Sequence, residues 1–208
     1  MDLGIAAYSS ITPEGVFKNG RKIISNQEKL AFDLFAKEAY TTLAPAYSKF
    51  FKMDELSKLA FLSTEALLSD NALDSIETRE DIAVIIGNRH SSIASDQKHY
   101  DLYKDRDNYF PSPAVFVYTL PNIMLGEICI RHNINGENSC FLLDQFDANF
   151  LFHYVAELFN NQNYQASLTG WVDYNGPSTY TAHLFLVEKW NKERNFAGKF
   201  DENFNKLI

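Results

Sequence analysis

Short apolar runs alternate with amphipathic segments along the first 190 residues, and this alternation predicts the secondary structure. Apolar runs predict strands at Leu3–Tyr8, Asp81–Gly87, Phe141–Leu143, Gln165–Val172 and Ala182–Glu188. Helical spacing of apolar residues predicts helices at 26–40, 54–68, 91–103, 114–130 and 147–159. Strands that alternate with helices, followed by two adjacent strands, indicate an α/β fold with one mixed sheet.

Turns and the C-terminal tail complete the pattern. Ser9–Gly15 and Asn175–Ser178 are rich in turn-forming residues and predict turns after the first strand and between the last two. In the tail, residues 191–208, Phe196, Phe200 and Phe204 recur every fourth residue. This spacing predicts a small amphipathic helix that packs on a domain formed by residues 1–190.

The segment 136–159 has the most informative pattern in the chain. A short apolar strand leads through Asp144 and Gln145 into a helix, 147–159, that is apolar on nearly every side. A helix apolar all round has to be covered all round, so we expect the tail or another protein to cover it. Several enzyme families place a nucleophile at such a strand-to-helix junction, but this one carries an acid and an amide.

Composition excludes several classes of function. The net charge of −8 argues against nucleic acid and against an anionic membrane surface as partners. No signal peptide and no apolar run long enough to span a bilayer occurs, so we expect a soluble, cytoplasmic protein. The two cysteines, Cys129 and Cys140, have no metal-binding spacing, and we expect neither a metal nor a cofactor.

Six groups of residues, in the right order, resemble the N-terminal half of a β-ketoacyl synthase, the condensing enzyme of fatty-acid and polyketide synthesis. They lie at Gly4–Gly15, Lys52–Ala60, Ser112–Ile128, Ile134–Gly136, Ala166–Gly170 and Leu184–Glu188. The resemblance implies half of a thiolase-like fold, with a mixed, mostly five-stranded sheet and helices on both faces.

The chain departs from the synthase pattern in two ways. The count from Gly136 that reaches the nucleophilic Cys in the family reaches Gln145 here, with Asp144 beside it. The family's catalytic His and Lys residues belong to a second half, and none of the five histidines of this chain lies in a matching motif. The resemblance therefore implies a subunit without condensing activity, in which Asp144 and Gln145 occupy a vestigial nucleophile position.

The resemblance also implies a role for the remaining site residues. In the family, the strand before the nucleophile pairs across a dimer axis, and the helix at 114–130 borders the acyl tunnel. These positions predict a tunnel or interface at Phe116, Tyr118, Thr119, Asn122, Ser139, Cys140, Phe141 and Leu143. The expected partner is a full-length ketosynthase, or a second copy of this chain, with acyl carrier protein involved only indirectly.

This chain-length-factor-like role, in a type II fatty-acid or polyketide pathway such as an aryl polyene pathway, has three alternatives. One is an acyltransferase that uses Cys140 as acyl acceptor, although a buried structural Cys is the simpler interpretation. Another is a small-ligand module at Arg89 and His90, which follow a buried strand, where α/β proteins often bind ligands. The third is a homodimeric scaffold. Gln145 also has a structural interpretation, as the cap of helix 147–159, a role that suits Asp147 better.

Overall fold

One mixed sheet forms the centre of the computed structural model, which describes residues 2–43, 46–70, 73, 76, 78–105, 107, 109–162, 164–192 and 194–208. The sheet has eight strands rather than mostly five, in the order β3-β2-β1-β7-β6-β4-β5, and β8 pairs with β1. The strands are β1 (Leu3–Thr12), β2 (Gly15–Lys18), β3 (Arg21–Ser25), β4 (Ile82–Asn88), β5 (Asn138–Leu142), β6 (Ala166–Tyr174), β7 (Tyr180–Lys189) and β8 (Gly198–Lys199).

The sheet is antiparallel from β3 through β2, β1 and β7 to β6, and parallel from β6 through β4 to β5. β4, β5 and β6 run parallel to one another, whereas β7 is antiparallel to both β6 and β1. The carboxyl ends of the three parallel strands therefore meet at one edge of the sheet, where α/β proteins commonly place their ligands.

The first strand is longer than the sequence pattern predicted. β1 continues through Ser9 and Ser10 to Thr12, so the predicted turn at Ser9–Gly15 shrinks to residues 13–14. Ser9 is fully buried, and its hydroxyl donates to the Ser63 carbonyl at 2.8 Å. A tertiary hydrogen bond thus lets a polar residue continue a buried strand.

The hairpin β2–β3 was not predicted, although its turn carries a recognisable signal. Asn19 and Gly20 join the two strands with φ of 48° and 75°. Positive φ at both positions is what a two-residue hairpin turn requires, and Asn-Gly is the pair that supplies it most readily.

Six α-helices flank the sheet among the described residues. They are α1 (Phe32–Leu43), α2 (Glu55–Leu68), α3 (Ile93–Asp101), α4 (Pro113–Val117), α5 (Ile123–His132) and α6 (Ala148–Asn161). The predicted cap of α2 is confirmed, because the Asp54 side chain accepts from the Ser57 amide at 2.9 Å. The single helix predicted at 114–130 is divided into α4 and α5 around Pro121, which cannot donate a helical hydrogen bond.

The two faces of the sheet carry separate hydrophobic cores, so the fold has helices on both sides. The larger core lies beneath α1, α2 and α5, and α2 is buried along most of its length. The smaller core lies beneath α6 and the C-terminal tail. None of the described helices is long and apolar enough to cross a membrane.

Helix α6 is less apolar on its outer surface than the sequence indicated. Leu151, Val155 and Phe159 are buried against the sheet, whereas Asn149, His153, Glu157 and Asn160 form an exposed polar stripe. The prediction of all-round burial was wrong, because polar residues three and four apart occupy the outer face.

The tail covers one side of α6 without forming the helix predicted for it. Gly198–Lys199 pairs with β1 as a short strand, and Phe204–Leu207 forms one 3₁₀ turn. Phe200 and Phe204 are buried in the smaller core, and the Phe200 ring lies 5.5 Å from that of Phe152. The four-residue spacing of phenylalanines therefore reflects burial by a strand and a turn.

Candidate functional site

The junction between β5 and α6 lies at the carboxyl edge of the parallel strands. The Leu143 amide donates to the Asn88 carbonyl at 2.8 Å, which fixes the end of β5 beside the end of β4. Asp144 and Gln145 follow at once and are exposed, and their side chains have no hydrogen bond or ion pair to any other described residue. Their predicted role as a vestigial nucleophile position stays a prediction.

The N-terminus of α6 is capped by Asp147. Its carboxylate accepts from the Phe150 amide at 2.9 Å, which satisfies one of the free amides of the first turn. The interpretation of Gln145 as the helix cap is therefore wrong, and the preference for Asp147 is confirmed.

Aromatic side chains fill the space behind the junction. The Phe146 ring stacks 5.9 Å from Trp171 and meets the Phe204 ring edge-on at 5.8 Å. Trp171 in turn lies so close to Gly87 that a Cβ there would come within 3.0 Å of the indole. Phe146 and Trp171 carry no sequence signal that places them at the site, because only the strand order brings β6 next to β4.

His183 lies beside this aromatic cluster, with its ring 6.3 Å from that of Phe146. Its two ring nitrogens lie 2.9 Å from the hydroxyls of Ser10 and Thr181. Burial lowers the pKa of His183 to about 4, because a charged imidazolium would be poorly solvated there. The imidazole is thus neutral near pH 7, and both of its nitrogens are hydrogen-bonded to hydroxyls.

The predicted ligand loop at Arg89 and His90 is held by Asp173 at the end of β6. The Asp173 carboxylate accepts from the backbone amides of Arg89 and His90, at 3.1 Å and 2.9 Å. His90 Nδ1 lies 2.7 Å from its other oxygen, and because a carboxylate only accepts, that nitrogen carries the proton. A ligand role for the loop stays a prediction, and Asp173 is a residue of this loop that sequence reasoning missed.

The thiol of Cys140 has an environment that suppresses reactivity. Burial in apolar surroundings raises its pKa to about 11, so only a very small fraction is thiolate near pH 7. Cys129 has the same raised pKa for the same reason. Both side chains pack against the larger core, which favours a structural role for each.

β5 is an edge strand, and among the described strands it pairs only with β4. Hydrogen bonds from Val84 to the Glu137 carbonyl, and from Leu143 to Asn88, direct the odd-numbered residues of this segment toward β4. In a parallel ladder alternate residues face opposite neighbours. The amides and carbonyls of Asn138, Cys140 and Leu142 therefore point to the open edge.

The predicted interface residues of β5 divide between the two faces of the sheet. Cys140 packs on the larger core, whereas the Phe141 ring contacts α6, 4.9 Å from Phe150. Ser139 is half-buried and donates to Glu137 at 3.3 Å. Leu143 lies beyond the strand and contacts the backbone of Gly87, where a Cβ would meet it at 3.3 Å.

The predicted tunnel residues around α4 lie partly on the surface and partly within the fold. Phe116 is 55% exposed and Asn122 is exposed. The Tyr118 hydroxyl donates to buried Glu127 at 3.0 Å, and burial together with this carboxylate raises the tyrosine pKa. The Thr119 carbonyl accepts from Ser92 at 2.6 Å, which joins this segment to the loop that follows β4.

Metal chemistry finds no support in this part of the fold. Within the described ranges, no group of three or more His, Cys, Asp or Glu side chains has an arrangement that would hold a metal ion. Two of the carboxylates near the site are engaged, Asp173 by the 89–90 loop and Asp147 by the helix, whereas Asp144 is exposed without such a partner among the described residues. The site consists of an exposed Asp-Gln junction and the open edge of the strand that leads into it.

No protein-family model and no curated protein matches the sequence, whereas solved structures match its fold. The ishigamide ketosynthase/chain length factor has a TM-score of 0.67 and 17% identity, covering 94% of this chain and 64% of that chain. A ketosynthase (ApeO) in complex with its chain length factor (ApeC) from Xenorhabdus doucetiae gives 0.56 and 16%, covering 92% and 81%.

A third match is the AntDE:AntF complex, a type II polyketide acyl-carrier protein with its ketosynthase bound to the hexaketide. It has a TM-score of 0.59 and 13% identity, covering 90% of this chain and 62% of that chain. The present chain thus spans less than two thirds of the first of these structures, at 64% of its length. Over about nine tenths of its residues, the chain has the thiolase-like fold that these ketosynthase and chain length factor structures share.

Proposed function

We propose that this chain is a non-catalytic, chain-length-factor-like subunit that pairs with a full-length β-ketoacyl synthase. The observation that carries the proposal is the open edge of β5, which leads directly into a junction occupied by Asp144 and Gln145. The pathway would be a type II fatty-acid or polyketide pathway, with aryl polyene synthesis as one candidate.

The edge of β5 supports association because its backbone hydrogen-bonding groups are open and no protective residue in the described part of the chain covers them. An exposed edge presents free amides and carbonyls, and proteins normally cover or blunt such an edge. Here the outward residues are Asn138, Cys140 and Leu142, without Pro or Lys, and the Leu142 side chain is 58% exposed. A strand added by a partner would satisfy these groups.

Exposed apolar residues near the candidate site give the same partner a larger contact surface. Within α4 and the segment that follows it, Phe116, Val117 and Leu120 are exposed, and Ile130 on α5 is 66% exposed. Large exposed apolar side chains mark protein interfaces where they group into a patch. Phe116 would then limit the length of the acyl product by occupying space beside the partner's tunnel.

Charge indicates how a carrier protein would enter the assembly. With a net charge of −8, this chain is a poor docking surface for an acidic carrier protein. The full-length ketosynthase would therefore provide the basic docking surface, and contact between this chain and the carrier protein would be indirect.

The alternative functions have less support from the geometry. An acyltransferase that uses Cys140 needs a thiolate, and burial raises the pKa of this thiol to about 11. A ligand module at Arg89 and His90 needs free polar groups, but Asp173 already accepts from both amides. A homodimeric scaffold would use the same β5 edge, so only the identity of the partner distinguishes it from our proposal.

Co-expression with the ketosynthase of the same gene cluster, followed by size-exclusion chromatography, tests the proposal. We expect the two chains to co-elute as a 1:1 complex at micromolar concentration. A chain that elutes alone contradicts the proposal, and a homodimer that excludes the ketosynthase supports the scaffold instead. Incubation of the complex with acyl-loaded carrier protein should leave the mass of this chain unchanged, whereas acylation lost in Cys140→Ala would establish the acyltransferase.

A further inference from the structure

A cavity of about 460 Å³ lies between the β2–β3 hairpin and the turn that precedes α1, at the opposite end of the sheet from β5. Seven of its nine lining residues are polar or charged by type, among them Glu14, Lys22, Ser25, Asn26, Lys29 and Ser178, although most of the surface they expose to the cavity is apolar. A volume of this size is typical of sites for small molecules. Because β3 and β5 end the sheet on opposite sides, a partner at β5 would leave this cavity open.

Positive charge is concentrated here in an otherwise acidic protein. Residues 18–29 contain four Lys or Arg and one acid, Glu28, although the whole chain has a net charge of −8. Lys18 forms an ion pair with Asp70 at 2.7 Å. Lys22 and Lys29 have no carboxylate within 4.0 Å among the described residues. Arg21 likewise has no ion pair among the described residues, so Lys22 and Lys29 are two of three uncompensated cations in this segment and the two that line the cavity. The Lys22 ammonium lies over the Phe17 ring, 5.2 Å from its centroid.

The wall that carries Lys29 is fixed in place by Asn26. The buried Asn26 side chain donates to the carbonyls of Pro13 and Leu30, at 3.1 Å and 3.0 Å, and accepts from the Leu30 amide at 2.8 Å. Lys29 lies in this turn with φ of 51°, a left-handed conformation that costs a non-glycine residue energy. Such strain is found most often where a side chain has to be held in a set position, as in ligand sites.

We propose that this cavity binds a small polyanion, whose negative groups lie between the ammonium groups of Lys22 and Lys29. Lysine binds phosphate and carboxylate groups as a point charge, so two ammonium groups beside one cavity suit a molecule with at least two negative charges. Ser25 and Ser178 also line the cavity and supply hydroxyl donors. Glu14 is the opposing charge in the lining and weakens binding of an anion.

Titration of the full chain with inorganic pyrophosphate, followed by NMR shifts of the amides at 26–30, tests this site. We expect saturable binding in the wild type, and affinity about fivefold weaker in Lys22→Gln and in Lys29→Asn, as one unit charge removed at about 4 Å in water predicts. Asn tolerates a left-handed backbone, so Lys29→Asn removes the charge without disturbing the turn. Glu14→Gln should bind about fivefold more tightly.

Lys206→Gln is the matched control, because it removes the same charge from the exposed C-terminal turn on the other face of the sheet. Its affinity should equal that of the wild type at equal ionic strength. The proposal is overturned if pyrophosphate gives no saturation, or if all three Lys variants weaken binding equally. Equal weakening would mean that the anion responds only to net charge.

Discussion

Replacement of Phe204 by alanine tests whether the C-terminal tail is part of the folded domain. Phe204 is 2% exposed, and its ring lies 4.8 Å from Phe185, 4.7 Å from Phe200 and 5.8 Å from Phe146. Loss of a fully buried Phe side chain costs about 3–5 kcal/mol through lost burial and the cavity left behind. For a chain of this size, that cost corresponds to a decrease in Tm of about 6–20 °C.

Urea denaturation followed by far-UV circular dichroism measures this cost, with Ile208→Ala as the control in the same segment. Ile208 is 44% exposed, so its replacement should change the free energy of unfolding by less than about 0.5 kcal/mol. The reasoning is refuted if Phe204→Ala also costs less than about 1 kcal/mol. That result would mean that the tail is not packed on α6 in solution, and that the helix is covered by something else.

The remaining predictions concern three groups of residues near the junction. Cys129 and Cys140 should resist iodoacetamide at pH 7 until the protein is unfolded, because burial raises both thiol pKa values to about 11; alkylation of the native chain within minutes would contradict this. His183 has a folded pKa of about 4, below its ordinary 6.5, so the unfolded chain binds the extra proton and stability should fall by up to about 3 kcal/mol as pH decreases from 6.5 to 4. His183→Gln should reduce that slope in chemical denaturation at several pH values, and an unchanged slope would assign the effect to other groups. Asp147→Ala should cost about 0.5–2 kcal/mol in the same assay, whereas Gln145→Ala should cost less than about 0.5, and equal costs would contradict the capping geometry.

Local sequence patterns were sufficient where a segment's structure depends on its own residues. The β-branched run that became β4 is buried along its whole length, as a strand covered on both faces should be. Asp54 and Asp147 both cap the helices that follow them. Pro121 lies at the break between α4 and α5, whereas the apolar pattern predicted one helix interrupted there.

Tertiary contacts determine strand pairings and strand lengths that local sequence patterns do not specify. The pairing of Gly198–Lys199 with β1 joins residues nearly 200 positions apart, and no local signal specifies it. β1 continues through Ser9, which pairs with both β7 and β2 and whose buried hydroxyl donates to the Ser63 carbonyl on α2. The β2–β3 hairpin differs from these two cases. Its Asn19-Gly20 pair is a local signal for a two-residue hairpin turn, so the hairpin could have been predicted from the sequence.

In the candidate site, too, some residues could be identified from local sequence and others only from tertiary contacts. The sequence identified the junction at Asp144 and Gln145, and the resemblance to ketosynthases agrees with the fold of the matching structures. It could not identify Asp173, which reaches the 89–90 loop because β6 lies beside β4. Residues that act across neighbouring strands become visible only when the strand order is known.

Removal of one outward amide from β5 tests the proposed pairing most directly. Leu142 directs its amide to the open edge, so Leu142→Pro removes a donor that the bond network with β4 does not use. Leu142→Ala keeps that amide and removes only the side chain, which makes it the matched control. A donor lost from a buried interface costs about 1–3 kcal/mol, or a dissociation constant about 5–150-fold higher.

The decisive measurement is the dissociation constant between this chain and the full-length ketosynthase, by isothermal titration calorimetry, for wild type, Leu142→Pro and Leu142→Ala. Our account predicts a micromolar or tighter wild-type complex, a loss of about 5–150-fold in the proline variant, and a smaller loss in the alanine variant. Equal affinities for all three chains, or no heat of binding with wild type, would contradict the claim that β5 is the edge through which this subunit pairs with its ketosynthase.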